Sequence, residues 1–344
     1  GDTHADVREA TQDAARVLMR SLSGQCLKLI LPSLLDGLDE KQWRTKKGAV
    51  ELLGAMAFCA PRQLSAALPT IIPRLSEVLT DSHRQVSAAA NQSLKQFGEV
   101  IHNPEIHALV PSILKALVDP NAKTALALKG LLRTKFVHYI DAPSLALIAP
   151  IIERGLRERT VLLQKQAAQI VGHLASLTDA RDYVPYLAKL TPLVRVVLVS
   201  PVPDARGVAA KALGTLVERL GEVHFVDLVP SLLQVLRTDA TGVDRHGAAQ
   251  GLAEVLAGLG MERMERLLPT IIENTQDSTP YVREGHLALL IYLPATFGAR
   301  FLPHLQRIVP PIVASMADDI ESVREASLRA GRMLITNYTQ RSVD

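Results

Sequence analysis

Apolar residues along this chain gather into short runs, and a four-residue pattern, apolar–Pro–any–apolar, keeps returning. Its proline falls at Pro32, Pro73, Pro111, Pro150, Pro192, Pro230, Pro269 and Pro310. Successive prolines stand 41, 38, 39, 42, 38, 39 and 41 residues apart. A period that steady, in units that short, predicts stacked helical hairpins rather than independent domains. Proline lacks an N–H and kinks a helix, which suits a first helix bending around its neighbour. About eight residues later comes an acidic or small turn residue: Asp39, Asp81, Asp119, Glu158, Ser200, Asp239, Asp277 or Asp318. An arginine often follows and opens a second apolar run, at Arg44, Arg206, Arg245, Arg283 and Arg324.

Each mark has a physical reading. The aspartate is expected to cap the second helix by accepting its orphan backbone N–H groups. The arginine is expected to reach the acidic turns of its own unit and of the next, as a ladder between layers. Alanine-rich second helices, such as Ala205 to Leu220 and Gly247 to Leu259, predict close-packed inner helices. Gly247-Ala248-Ala249-Gln250-Gly251 has the small-xxx-small form that lets two helices approach. No strand-like alternation persists over a useful length, so the chain reads as all-α. The proline–aspartate–arginine pattern resembles the HEAT repeat, and implies an α-solenoid, a right-handed superhelix of antiparallel helix pairs.

The expected organisation is half a repeat over residues 1–25 and eight repeats over 26–344, in one continuous solenoid cut from a longer array. Asp6 to Ala10 reads as the start of a second helix whose first helix is missing. The third and fourth units depart most from the pattern, lacking the arginine. A break is expected at Ala142-Pro143-Ser144, and repeat ends at Gly260, near Gly298 and near Asn337.

Composition fits thin helical layers: 48% of residues are hydrophobic but only 4% aromatic. Net charge is +3, from 38 basic and 35 acidic residues, which is no argument for nucleic acid by itself. The two cysteines, Cys26 and Cys59, have no metal-site spacing and read as reduced, buried thiols. No apolar run long enough to span a bilayer and no signal peptide is found, and the expected location is the cytoplasm. The sequons Asn91-Gln92-Ser93 and Asn337-Tyr338-Thr339 read as chance matches.

Catalytic signatures were sought at their known spacings. There is no G-x-x-x-x-G-K-[ST] loop, no G-x-S-x-G elbow and no H-E-x-x-H pair. Histidines such as His102, His107 and His138 read as surface or half-buried side chains. The expectation is no enzyme, no cofactor, no metal and no small-molecule ligand.

Particular runs carry a closer resemblance. Val50 to Pro61, Thr134 to Val137 with Asp141 to Leu147, and Gly247 to Gly260 together resemble the family of the general-control translational activator, very large HEAT-repeat proteins of eukaryotes. Residues from about 107 to 221 are also similar to the HEAT region of elongation factor three, through Ala142 to Leu147 and Glu153 to Arg159. The resemblance implies a scaffold that binds stalled or collided ribosomes, through ribosomal RNA and stalk-region proteins. It also implies a role in the amino-acid starvation response. Other parts of the full-length chain would engage a partner ATP-binding protein and the kinase of initiation factor two alpha. Elongation factor three also carries ATPase cassettes, and the missing phosphate loop means that ATP hydrolysis does not carry over.

Charge along the expected turn edge is uneven. Lys41, Arg44, His83, Arg84, Lys123, Arg157 and Arg159 make the first half basic, whereas the last unit offers Asp318, Asp319 and Glu321. From charge and edge position, the bases expected to touch the ribosome are Lys123, Lys129, Arg133, Lys135, Arg154, Arg157, Arg159 and Lys165. No aromatic side chain is seen to interleave with them, so phosphate contact and shape, not base stacking, is the expected mode. The alternative is a protein adaptor that holds a peptide or helix on its concave face without touching the ribosome. Salt separates the two, since phosphate contacts weaken steeply as salt rises and an apolar groove barely responds.

Overall fold

The computed structural model describes residues 2–21 and 24–339, with side chains described outside 24–28 and 339. Those residues are almost wholly helical. They divide into two compact units, residues 1–155 with 177–186, and residues 156–176 with 187–344.

In the first unit the helices are α1 (Ala5–Ser21), α2 (Gly24–Asp36), α3 (Trp43–Cys59), α4 (Pro61–Val78), α5 (Arg84–Gly98), α6 (Pro104–Val118), α7 (Pro120–Arg133) and most of α8 (Ala142–Arg157). Helix α1 packs on α3 and α3 on α5, while α2 packs on α4, so alternate helices form rows. The second unit holds α9 (Val161–Leu177), most of α10 (Ala180–Leu198), α11 (Pro203–Leu220), α12 (Leu228–Leu236), α13 (Gly242–Leu259), α14 (Met261–Asn274), α15 (Pro280–Phe297), α16 (Leu305–Ser315) and α17 (Glu321–Thr339). Here α11, α13, α15 and α17 pack in sequence as one row.

The two rows differ in how they are buried. Helices α11, α13 and α15 bury ten, nine and twelve of their eighteen residues, whereas α14 buries only Met264, Leu268 and Ile271. A helix enclosed on most sides needs small residues where backbones meet. That is the role of alanine and glycine in the second helices. A Cβ at Gly247 would stand 2.1 Å from the carbonyl oxygen of Leu198, at the end of α10, and one at Gly251 would meet the Leu198 side chain at 2.7 Å. The small-xxx-small run therefore seats the end of α10. Helix α15 is long and apolar enough by composition to cross a membrane, yet its residues are mostly buried among neighbouring helices. It is a core helix, and it carries a buried Glu284 and His286.

Three second helices end on a glycine of positive φ: Gly221 after α11, Gly260 after α13 and Gly298 after α15. A left-handed or mirror-extended backbone there reverses the chain at little steric cost. Helix α17 runs through Asn337, near which a repeat end is expected, to Thr339. The expected break at Ala142-Pro143-Ser144 is misplaced. These residues form the first turn of α8, where Asp141 Oδ1 accepts the Ser144 N–H at 3.1 Å, and the irregular stretch is the preceding 134–141. Cys59 is a half-buried free thiol at the end of α3, and Cys26 lies outside the described side chains.

The ladder between layers is present, with a different part for the aspartate. Asp81, Asp277 and Asp318 each accept the N–H of the residue two positions on, at 2.8, 2.8 and 2.9 Å, closing an Asx turn before the helix instead of capping its interior. The arginine then gathers the turn. Arg283 donates Nη1 to the carbonyls of Asp277 and Ser278, and its Nε and Nη2 grip both carboxylate oxygens of Asp318, in the next turn, at 2.8 and 2.9 Å. Arg324 holds the Asp318 and Asp319 carbonyls, and Arg206 those of Ser200 and Pro201. Arg245 bonds the Ala240 carbonyl and pairs with Glu284 at 2.9 Å, both side chains buried. In the first unit Lys46 does the same work on Asp81 at 2.8 Å.

This packing sets how substitutions at the layers should behave. Gly247→Ala drives a methyl into the Leu198 carbonyl and should lower stability by about 1–3 kcal/mol in thermal or urea unfolding. Gly48→Ala, whose Cβ meets nothing nearer than Gln12 at 3.8 Å, should be neutral or stabilising by up to about 1 kcal/mol. Hydrogen bonding to Arg283 first, and the Ile320 N–H after burial, set the Asp318 carboxyl below its ordinary 3.8. A carboxyl with a depressed folded-state pKa contributes stability above its unfolded pKa and loses it as pH falls through the folded value. Asp318→Asn should therefore lower Tm at pH 7 and flatten the loss of Tm between about pH 5 and about pH 2.

Candidate nucleic-acid interface

Helix α7 carries the first of the expected contact bases. Asp119 caps it through the Ala122 N–H at 3.3 Å, Pro120 supplies its first residue, and the helix closes at Arg133 with Thr134 Oγ1 bonded back to the Gly130 carbonyl at 2.9 Å. Lys129 and Arg133 are exposed on it, and Lys135 is exposed just beyond it. Arg133 in the last turn also suits the negative end of the helix dipole. Among the described residues these three make no ion pair. Arg154, exposed on α8, donates to Asn121 Oδ1 at 2.5 Å, which brings it to the opening turn of α7.

Lys123 is half-buried. With Lys95 and Lys115 it rims a groove of about 640 Å³ along α5 and α6, floored by Leu94, Val110, Leu114 and Val118. The groove is apolar with a mixed rim, since Glu99 and Asp119 also border it.

The other expected bases belong to the second unit. Arg157 ends α8 and Arg159 stands in the turn after it, both exposed. Lys165, in α9, is half-buried and paired with Asp204 of α11. It is already engaged as a rung between layers, in the place where the arginine stands elsewhere.

The uneven charge of the turn edge is smaller than the bare sequence indicates. Arg44 lies over the Trp43 ring at 4.9 Å, and Trp43 stacks on His83 at 4.0 Å. Lys46 is paired with Asp81, and the Asp318 carboxylate is consumed by Arg283. Charges that register one layer on the next are not free to attract a partner.

Among the described residues no three His, Cys, Asp or Glu side chains gather as a metal would require. His246 is half-buried, its ring edge-on to Tyr292 at 6.4 Å. Burial first, then the Arg329 charge, lowers its pKa to about 4, so the imidazole is neutral at pH 7. His102, His107 and His138 are exposed, and His138 Nδ1 meets Glu105 Oε1 at 2.8 Å.

The reading of the sequence missed one feature beside these bases. Residues 134–141 form an irregular connection that bends at Thr134 and His138, with Val137 74% and Tyr139 75% exposed. An exposed aromatic ring, Tyr139, does follow Arg133 and Lys135 in the chain. The signal was the alternation Arg133, Lys135, Val137, Tyr139 against buried Ile140, too short to register as a strand.

Comparison with known proteins matches this architecture. The family described as EF3 N-terminal HEAT repeat matches residues 1–94, and that described as Elongation factor 3/GNC1 HEAT repeat matches residues 123–227. The all-α HEAT-repeat solenoid read from the proline period is thus the fold class of the chain. Over its whole length the chain is 51% identical to "Stalled ribosome sensor GCN1" of Homo sapiens and 47% identical to "eIF-2-alpha kinase activator GCN1" of Saccharomyces cerevisiae. It spans 13% of the length of each. Over 63% of the chain it is 34% identical to "Elongation factor 3" of Phytophthora infestans, 21% of which is covered.

Proposed function

The chain belongs to the HEAT-repeat family of GCN1, and on that premise we propose that it is a non-catalytic, ribosome-contacting segment of a translational activator. Its relatives are named for sensing stalled ribosomes and for activating the eIF-2-alpha kinase. The observation that carries the reading to this segment is the cluster of Lys129, Arg133 and Lys135, exposed and without carboxylate partners among the described residues. Unneutralised bases on a rigid helix and its exit are what phosphate contact needs. Arg154, Arg157 and Arg159 extend the candidate set, and Lys123 and Lys165 are its least accessible members.

In this reading the segment positions the activator on the cytosolic ribosome, by ribosomal RNA and stalk-region proteins. Other parts of a longer chain engage the kinase and an ATP-binding partner, and the place of action is the cytoplasm. The division into half a repeat over 1–25 and eight over 26–344, with about 107–221 as the part akin to elongation factor three, belongs to the same proposal.

The groove along α5 and α6 favours a second reading, an adaptor that holds a partner helix without ribosome contact. Its apolar floor, Leu94, Val110, Leu114 and Val118, is the kind of surface an amphipathic helix occupies.

The test is co-sedimentation of the chain with cytosolic ribosomes across a salt series. Under the first reading binding falls log-linearly with salt. Lys129→Glu with Arg133→Glu and Lys135→Glu then lowers both the affinity and the salt slope, the slope by close to one for each phosphate no longer neutralised. Binding that ignores salt and these reversals, but is abolished in Leu114→Lys, would overturn phosphate contact and place a protein contact in the groove, whereas no sedimentation at any salt favours the adaptor without ribosome contact.

A further inference from the structure

The segment 134–141 joins α7 to α8 and is held along its length. Glu105 Oε1 accepts the Val137 N–H at 3.2 Å and meets His138 Nδ1 at 2.8 Å. Asn103 Nδ2 donates to the Tyr139 carbonyl at 2.9 Å, and its Oδ1 caps α6 through the Ile106 N–H. The Ile140 N–H donates to the Leu177 carbonyl at 2.9 Å, Ile140 forms a single parallel bridge with Thr178, and its side chain is buried. Four successive residues are thus fixed by backbone or side chain. Val137 and Tyr139 are exposed on a clamped backbone, and a clamped backbone has little conformational entropy left to lose on binding.

The charge around the segment is one-sided between the end of α7 and Tyr139. Lys129, Arg133 and Lys135 are exposed there, and the one carboxylate beneath, Glu105, is spent on the clamp. Of the carboxylates beyond Ile140, Asp141 and Asp179 are engaged and Asp182 is half-buried. Asp141 bonds the Ser144 N–H, Asp179 the N–H and guanidinium of Arg181, and Asp182 is half-buried with its carboxyl pushed up by burial and then by Asp179. Val137 lies between Lys135 and Tyr139 in the chain, and all three are exposed.

We propose that the clamped segment 134–141 is a recognition element for unpaired RNA, in which Tyr139 stacks on a base and Arg133 and Lys135 hold the flanking phosphates. The inference rests on the ribosome-contact reading and adds a mode that charge alone does not supply, selection of single-stranded over paired nucleotides. An exposed ring beside unpaired cations is the pairing used to hold single strands, because every base has a π-face. A protein partner would use Val137 and Tyr139 as apolar anchors, but three lysine and arginine charges at their flank favour a polyanion.

Fluorescence anisotropy of the full chain with a labelled single-stranded RNA oligonucleotide, and with the duplex of the same sequence, tests the inference. The wild type is expected to prefer the single strand. Tyr139→Ala should lose about five- to a hundredfold in single-strand affinity, and Tyr139→Phe should keep most of it. Because Tyr139 is 75% exposed, neither variant should move Tm, which serves as the folding control. Unchanged binding in Tyr139→Ala, or equal binding of single strand and duplex, overturns the inference. Ribosome co-sedimentation in parallel separates the two levels. Normal salt-sensitive sedimentation of Tyr139→Ala overturns stacking alone. Sedimentation abolished in Tyr139→Ala without any oligonucleotide binding by the wild type assigns the segment to a protein contact. A wild type that neither sediments nor binds the oligonucleotide overturns the underlying reading as well.

Discussion

A helical hairpin of about forty residues cannot bury its own apolar faces, so every layer of this chain depends on being held in register with the next. In four places the register is set where a long cation at the start of a second helix spans to the turn, or to the opening of the second helix, one period on. Arg283 on Asp318, Arg245 on Glu284, Lys46 on Asp81 and Lys165 on Asp204 are the same device with different atoms. Arginine does more than lysine there. Its fork holds the carbonyls of its own turn while it reaches the neighbour, so the turn and the interlayer contact are fixed by one side chain. Bonds of this kind join residues 35 to 39 apart in sequence, about the length of one repeat.

Much of this was legible in the sequence, because the device repeats and repetition shows in spacing. The prolines gave the period, alanine and glycine marked the enclosed helices, and the arginines announced the ladder. What stayed hidden was set by partners that spacing alone does not name. Asp81, Asp277 and Asp318 occupy the expected positions, yet they close the turn before the helix, because the N–H in reach is two residues on and not three. The start of α8 at Ala142 looked like a break because proline is read as a breaker, although proline is well tolerated in a first helical turn.

The candidate interface shows the same limit more sharply. Formal charge is visible in a sequence, but whether a charge is spent is not. Lys165 and Asp318 are spent on register, whereas Lys129, Arg133 and Lys135 stand where the ladder has no rung. Tyr139 escaped notice for the opposite reason. An isolated tyrosine in an apolar run is usually core, and only the clamp from Asn103 and Glu105 turns it outward. The third and fourth units, which depart most from the repeat, are the ones that carry these features.

The one-period reach of the cross-layer bonds also governs how the molecule tolerates change. Because a rung such as Arg283 to Asp318 joins adjacent layers and skips none, a disturbance in one layer is felt by its immediate neighbours and fades beyond them. Sequence in one turn is therefore free to diverge while the packing two layers away stays as it was. A chain built so is able to acquire a new contact surface locally, without renegotiating its core.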